Sequence, residues 1–530
     1  MWLRLRNQNK KQAYPCDKVA QEGIYGTIER DLHANIEKIR NITGNSADIV
    51  IRRFWLGKED NLSSALCFVS GMVDENMVQQ LFIEASVQLS FPSMCCDQLE
   101  YIEKKIATAN TTRRVKQWND VFSLLMSGES ILFIHGMQEA ISIAVKGGEY
   151  RAITEPSTQL SIRGPREGFT ESLTTNVAMV RRRIQHPHVW VEAITVGEVT
   201  HTNVRIMYMK GIADDNIVEE VRSRLQRICM DGVLESGYIE QFIEDETFTT
   251  FPTIYHTERP DSVAANLLEG RVAIFVEGTP FVLIAPAVFI QFFQAVEDYY
   301  ARFDIATALR FLRILVFFIS LVAPSLYIAA TTFHQEMIPT SLVIAIAAQR
   351  ESVPFPAFVE AVIMEVTFEI LREAGVRLPR TVGQAVSIVG ALVIGQAAVE
   401  AGFVSSVMVI VVSITAIASF ATPSFAIAVS ARLIRFLLMV LAALFGFYGI
   451  LIGLIWMTIH LCSLRSFGVP YMTPLAPLIP TNLRDTFVRF PLWALTDRPH
   501  GIAEETNIVR QGDEQRPKPN QEMRREGDEN

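Results

Sequence analysis

The sequence predicts an α/β N-terminal soluble region of two related subdomains, followed by an α-helical multi-pass membrane domain. Three observations lead to this fold class. The 530 residues are 49% hydrophobic yet 20% charged, a balance that fits a chain divided between a soluble and a membrane part. Long stretches after residue 313 contain almost no charged side chains. A short pattern near residue 70 also recurs 140 positions later, which indicates an internal repeat.

Residues 1–30 form an N-terminal extension that matches no motif. Its first residues include Arg4 and Arg6 without an apolar run, so we expect no cleavable signal peptide and a soluble region that stays inside the cell. The formal net charge of −9 argues against a nucleic-acid partner, because such a partner requires a basic face. The six cysteines form no CxxC pair and no disulfide framework, which is typical of a reducing compartment.

The repeat divides the soluble region into subdomain 1 (31–180) and subdomain 2 (181–300). In both copies an apolar strand leads to a glycine, an acidic residue caps the next segment, and a helical pattern begins. The matched residues are Phe68, Gly71, Asp74, Glu75, Asn76 and Val78 in the first copy, and Tyr208, Gly211, Asp214, Asp215, Asn216 and Val218 in the second. Two apolar runs at 131–135 and 140–145 flank a loop at 136–139, so they predict a β-hairpin.

The transmembrane helical domain is predicted at 301–463, where apolar runs reach the roughly 20 residues that a membrane-spanning helix needs. We expect spanning helices at 311–333, 382–401, 403–422 and 433–462. The middle pair meets at Gly402, which predicts a tight helical hairpin. A post-membrane segment follows at 464–497. The last part, 498–530, has many charges and few large apolar residues, so it is predicted to be a disordered tail.

The segment 341–380 is harder to place, because it begins apolar and then carries seven charged residues before Arg377. It could cross the membrane as a helix buried in protein, re-enter the membrane, or lie at its surface. A crossing gives five spans and places the tail outside the cell. A segment that does not cross gives four spans and keeps the tail inside, and we favour this second arrangement.

Several motifs are spread along the chain. They are Arg163-Gly164-Pro165-Arg166-Glu167-Gly168, Glu277-Gly278-Thr279-Pro280-Phe281, Pro354-Phe355-Pro356 with Glu360, Glu369-Ile370-Leu371-Arg372-Glu373, and Ser466-Phe467-Gly468-Val469-Pro470-Tyr471. These motifs resemble those of the A subunits of bacterial spore germinant receptors, the GerA family. The resemblance covers residues from about 60 to 480, in the family's order.

The resemblance implies a subunit of the inner spore membrane that works with a transporter-like B subunit and a lipoprotein C subunit. It also implies a homo-oligomeric ring around a pore that releases monovalent cations and so triggers germination. Two alternatives stay open. One is a sporulation paralogue that amplifies ion release without sensing a nutrient, and the other is a secondary transporter, which would require inverted repeats among its membrane helices.

Three carboxylates predict a candidate ion path. On a helix, Glu365, Glu369 and Glu373 lie within about 80° of one another and form one acidic stripe. Ionisable groups at membrane depth are costly unless they meet water or a partner, so the stripe is expected to line the ion path or its vestibule. The alternative is a helix at the headgroup level with solvated acids. Glu400, beside Gly402, is either a solvated turn residue or a further acid of the ion path.

The loop formed by Arg163, Gly164, Pro165, Arg166, Glu167 and Gly168 has two guanidinium groups and could hold an anion. It lacks the spacing of a phosphate-binding loop, so we interpret it as a coupling or interface loop. Gln384 and Gln396 are interpreted as packing residues between helices. The sequence contains no Ser-His-Asp, HExxH or dinucleotide fingerprint. We therefore expect no enzymatic activity, no cofactor and no metal site.

Overall fold

The computed structural model describes residues 26–56, 62–80, 111–147, 163–378 and 393–495, with shorter pieces at 100, 102–103, 155–156, 159, 161, 390, 498–499 and 501–503. Within these residues, two α/β units each contain a five-stranded antiparallel sheet, and a group of apolar helices follows them. The predicted order of an α/β region and then a helical part is confirmed.

Unit 1 places two helices against a sheet of order β1-β2-β4-β5-β3. Helix α1 begins where the Asp31 side chain accepts a hydrogen bond from the His33 amide. Trp118 at the start of α2 is fully buried and stacks against Phe133 of the sheet. The predicted hairpin is confirmed as β4 and β5. The elements are α1 (Leu32–Ile42), β1 (Ile49–Leu56), β2 (Leu62–Val69), β3 (Thr112–Val115), α2 (Trp118–Met126), β4 (Ser130–Ile134) and β5 (Ala140–Ile143).

Unit 2 repeats this topology with the order β6-β7-β9-β10-β8. Asp74 and Asp214 play the same part in the two units, since each accepts a hydrogen bond from the amide two residues later. The elements are α3 (Leu173–Arg183), β6 (Val189–Val196), β7 (Thr202–Met209), α4 (Asp215–Gln226), α5 (Ser236–Ile243), β8 (Tyr255–Thr257), α6 (Pro260–Leu268), β9 (Val272–Val276) and β10 (Val282–Ala285).

The repeat also includes the helix that precedes each sheet, which the sequence pattern did not reveal. The Asn35 side chain of α1 donates to the Glu29 carbonyl at 2.7 Å, and the Asn176 side chain of α3 donates to the Thr170 carbonyl at 2.6 Å. Helix α3 therefore corresponds to α1, and the predicted subdomain boundary at residue 180 falls inside it.

A buried ion pair joins the two units. The Arg181 guanidinium of α3 contacts the Asp48 carboxylate at 2.7 Å and donates to the Ser46 hydroxyl at 3.0 Å. Arg181 and Asp48 are both buried. The Ala47 amide also donates to the Val191 carbonyl of β6, so the start of β1 is held directly against the second sheet.

The helical part follows a short helical turn at Glu297–Tyr300. Among the helices that the structure describes, α7 and α11 are long and apolar enough to cross a membrane. Helices α10 and α12 are apolar but shorter. The helices are α7 (Phe303–Thr332), α8 (Thr340–Arg350), α9 (Ala357–Arg377), α10 (Ser406–Phe420), α11 (Phe425–Phe445) and α12 (Phe447–Ser463).

The prediction of one helix over 433–462 is wrong, because Gly446 divides it into α11 and α12. Gly446 has φ +62°, a conformation that glycine adopts without the steric cost that other residues meet. Gly453 of α12 faces Leu438 of α11, and Gly449 faces Leu441, with no room for a Cβ at either glycine. The two helices therefore run back against each other, and their glycines allow the close approach.

The segment 341–380 contains two helices, α8 and α9, with Pro354 and Pro356 between them. Gly402 lies between a helical stretch at 393–400 and α10, with φ +71°, as expected for the tip of a helical hairpin. Part of the predicted helix at 382–401 lies outside the described residues, as does the predicted tail beyond residue 503.

Candidate functional site

A buried ion pair connects α9 to α11. The Arg435 guanidinium donates to the Glu365 carboxylate at 2.6 Å, and each side chain is only 2% exposed. Both helices are otherwise rich in apolar residues. A charge buried in such surroundings is tolerated because its partner lies in direct contact.

A second acid extends this pair into a cluster. Glu369 accepts hydrogen bonds from Arg432 at 2.8 Å and from Arg372 at 3.2 Å. The Arg372 guanidinium also donates to the Ser419 hydroxyl of α10 and lies 5.0 Å from the centre of the Phe420 ring. Three helices are thus held together by one set of charges. We call it the buried charge cluster, and it consists of Glu365, Glu369, Arg372, Arg432 and Arg435.

The predicted acidic stripe divides in the structure. Glu365, Glu369 and Glu373 do lie on one helix, but the first two belong to the buried charge cluster, where three arginines face two glutamates. Their negative charge is therefore balanced within one chain. Glu373 is 63% exposed and pairs with Arg377 one turn later. The role of the stripe in an ion path stays a prediction.

The family motif ahead of α9 fixes the start of that helix. Pro356 directly precedes α9, and the Phe355 ring stacks on the Phe403 ring at a centroid distance of 6.4 Å. The Glu360 side chain is fully buried and accepts a hydrogen bond from the Ser405 amide at 2.9 Å, with Arg350 at 3.4 Å. The motif thus joins the start of α9 to the turn that begins α10.

Glu400 lies on the exposed side of the turn around Gly402. It accepts a hydrogen bond from the Gln396 side chain at 2.8 Å, and both residues are exposed. Within one copy of the chain, Glu400 is therefore a solvated turn residue. Gln384 lies outside the described residues. In the described part of the chain, no group of three or more His, Cys, Asp or Glu side chains is placed to hold a metal ion.

The loop 163–168 packs where unit 2 leads into α7. Gly164 has φ +131° and lies against the Tyr300 ring, which leaves no space for a Cβ. The Pro165 carbonyl accepts a hydrogen bond from Arg259 at 3.1 Å, and Glu167 pairs with Arg183 of α3 at 2.8 Å. These contacts lie within one copy, and the assignment of Arg163, Gly164, Pro165, Arg166, Glu167 and Gly168 to coupling stays a prediction.

A second set of charges ties α7 to both of its neighbours along the chain. The buried Asp298 carboxylate accepts from Arg310 at 2.9 Å and from Arg313 at 2.8 Å. Arg310 also reaches the Asp485 carboxylate of the post-membrane segment at 2.8 Å. Tyr299 donates to Asp485, and burial together with that negative charge raises the pKa of the Tyr299 phenol. We call Asp298, Arg310, Arg313 and Asp485 the junction network.

Sequence reasoning missed both sets of basic partners. Arg432 and Arg435 are three residues apart, a spacing that places two side chains on one face of a helix. They lie at the edge of a long apolar run, a position where charged residues commonly flank a membrane span. Only the packing of α11 against α9 turns this face inward to meet the acids.

Comparison with known proteins finds relatives along nearly the whole chain. The family model described as Bacillus/Clostridium GerA spore germination protein matches residues 37–501. Spore germination protein KA of Bacillus subtilis is 58% identical over 492 residues, which cover 93% of this chain and 90% of that protein. The uncharacterized membrane protein YfkQ of Bacillus subtilis is 44% identical over 475 residues, with coverages of 89% and 91%.

A solved structure matches about half of the chain. It is the N-terminal domain of the A subunit of the Bacillus megaterium spore germinant receptor GerK3, which is 44% identical, with a TM-score of 0.41. The match covers 51% of this chain and 99% of that domain. With the family model and the relatives matched over most of its length, the chain belongs to the GerA spore germination protein family.

Proposed function

We propose that the chain is a membrane subunit of a nutrient germinant receptor that oligomerises into a cation-conducting channel and triggers spore germination. The observation that carries the proposal is an apolar helical surface that the described residues of one copy leave exposed. None of the residues of α8 is buried, and Ile344 is 64% exposed. On α9, Ile363, Val366 and Ile370 are between 38% and 64% exposed, on a helix whose other side carries the buried acids. Such a surface requires lipid or a further copy of the chain.

The helix lengths support a place in a membrane, which we take to be the inner spore membrane because the chain belongs to a spore germination family. At 1.5 Å per residue, the 30 residues of α7 extend about 45 Å, more than the roughly 30 Å of a hydrocarbon core. The 21 residues of α11 extend about 30 Å. We place the α/β units in the cytoplasm. Arg302 supports this orientation as an exposed basic residue at the start of α7, where it pairs with Asp304, and Arg310 and Arg313 of the junction network lie near the same end of the helix.

Within the ring, the exposed acids are the first candidates for the ion path. Glu373 and Glu400 are exposed in one copy, and each would recur once per subunit around a closed ring, with Glu373 in a solvent-exposed pair with Arg377. Repeated carboxylates sum to a potential that concentrates cations and excludes anions. Glu365 and Glu369 would add to this potential only after their contacts with Arg435 and Arg432 open, which makes these pairs candidates for a gate.

Ion release from spores tests the ion path. Spores that carry Glu373→Gln together with Glu400→Gln should release potassium more slowly than the wild type, at equal abundance of the protein. Glu336→Gln is the matched control, because Glu336 is also an exposed acid in the helical part but lies outside the proposed path. Normal release from the double variant at normal abundance would contradict the assignment of these acids.

Particle images of the purified protein test the ring, which predicts a closed assembly with a central opening. A particle with one copy of the chain would contradict it. Co-purification with a transporter-like B subunit and a lipoprotein C subunit would distinguish a nutrient receptor from a paralogue that only amplifies ion release. A secondary transporter is less well supported, since the repeat found in the described residues lies in the α/β units.

A further inference from the structure

A cleft of about 390 Å³ lies between unit 2 and the post-membrane segment. Its walls come from α6, from the chain that leads to α7, and from described residues near the end of the chain, among them Thr473, Asp485 and Ile502. The volume falls in the range of pockets that bind small organic molecules. Leu268 and Leu492 are each 42% exposed and line this cleft, so apolar side chains make up part of the wall.

One end of the cleft carries a buried arginine with an unused donor. Arg271 is only 4% exposed, and its terminal nitrogen donates to the Asn266 side chain at 2.8 Å. The Nε donor of Arg271 has no hydrogen-bond partner among the described residues. The nearest carboxylate oxygen, on Glu269, is 3.6 Å from the guanidinium. A buried donor without an acceptor is costly, and a ligand oxygen would remove that cost.

Glu269 also faces the cleft. Its side chain is 34% exposed, and the residue lines the cleft. Burial among the surrounding protein raises the pKa of Glu269, and the nearby Asp485 adds to this effect against the opposing charge of Arg271.

The charges that line the cleft favour an anion. Three arginines, at positions 271, 484 and 498, face two acids, Glu269 and Asp485. Asp485 is already engaged by Arg310 of the junction network. The lining thus holds one more positive than negative side chain, and guanidinium groups bind carboxylates with strong charge-assisted hydrogen bonds.

We infer that this cleft binds a small organic carboxylate with one compact apolar group, such as a ring. The carboxylate meets Arg271, and the apolar group lies between Leu268 and Leu492. Tyr299 and Asp485 line the same cleft, so a bound molecule contacts residues next to the start of α7. An effect of the bound molecule on α7 and the other membrane helices rests on the proposed channel function, whereas the binding itself does not.

Binding of 4-fluorophenylacetate to the purified full-length protein in detergent tests the inference, with ¹⁹F NMR line broadening as the measurement. We expect saturable binding, and roughly tenfold weaker binding of the neutral 4-fluorophenylacetamide, which corresponds to about 1.4 kcal/mol. Equal binding of the acid and the amide would overturn the assignment of the carboxylate to Arg271.

Two variants locate the site. Ala265→Phe fills the cleft from an exposed position on α6 and should abolish the broadening without unfolding the protein. Arg271→Gln should reduce binding of the acid to the level of the amide. Ala265→Phe remains decisive if Arg271→Gln fails to fold, and unchanged binding in Ala265→Phe would overturn the proposal. Because this readout needs no ion flux, a failed channel proposal would leave it unaffected.

Discussion

Removing either partner of the ion pair between Glu365 and Arg435 alone should strongly destabilise the helical part. The two side chains are 2% exposed and in contact at 2.6 Å. Glu365→Leu leaves a buried guanidinium, and Arg435→Met leaves a buried carboxylate. Breaking a buried pair in this way costs about 3–5 kcal/mol, whereas replacing both partners with apolar residues is often nearly neutral. We therefore expect the double variant to be more stable than either single variant.

Thermal unfolding of the purified protein in detergent, followed by size-exclusion chromatography of heated samples, measures this cycle. The pair Glu373 and Arg377 provides the matched control, because it lies on the same helix but is 63% and 77% exposed. Its cycle should show a coupling of no more than about 0.5 kcal/mol. The reasoning is refuted if Glu365→Leu is no more destabilising than Glu373→Leu, or if the double variant loses the sum of the two single losses.

Three further predictions concern the α/β units of the full-length protein. Gly71→Ala should lower the free energy of unfolding more than Gly211→Ala. Both glycines have positive φ, and an alanine in this conformation is strained by about 1–2 kcal/mol. Only at position 71 would the new Cβ also contact atoms of α3, at 3.1 Å. Chemical denaturation compares the two variants, and equal losses would contradict the expected crowding. Burial lowers the pKa of His186 from 6.5 to about 4. Between these two pH values the unfolded state therefore binds more protons than the folded state. Stability should fall by roughly 1–2 kcal/mol as the pH falls from 6.5 to 4, after allowance for solvent screening, and His186→Gln should flatten that profile in a pH series of thermal melts. A membrane-impermeant maleimide should label the exposed Cys229 only after cells are lysed, with Cys229→Ser as the control, and labelling of intact cells would contradict a cytoplasmic unit 2. Cys67 should stay unlabelled in the folded protein, because burial raises the pKa of its thiol to about 12.

Features that depend on neighbours along the chain were predictable. The hairpin of β4 and β5, the acidic caps at Asp74 and Asp214, and the glycines at 71 and 211 all follow from short patterns, because turns and helix starts are decided by a few adjacent residues. The placement of the three acids of α9 on one face follows from the helical period alone.

Features that depend on distant partners were not predictable. The division of the last apolar run at Gly446 requires α12 to fold back onto α11, and a run of apolar residues does not distinguish one long helix from two short ones. The correspondence of Asn176 with Asn35 was also missed, since the two residues serve the same role in helices of different sequence.

The sequence by itself determined that charges would be rare in the helical part and that Glu365, Glu369 and Glu373 would share a helix face, because composition and helical period are local properties. The tertiary structure decided what those acids meet. Glu365 and Arg435 are separated by 70 positions, and no sequence pattern between them predicts that α9 and α11 pack together. A buried charge selects its partner only once the surrounding helices have excluded water, since the cost of leaving it unpaired arises from that exclusion.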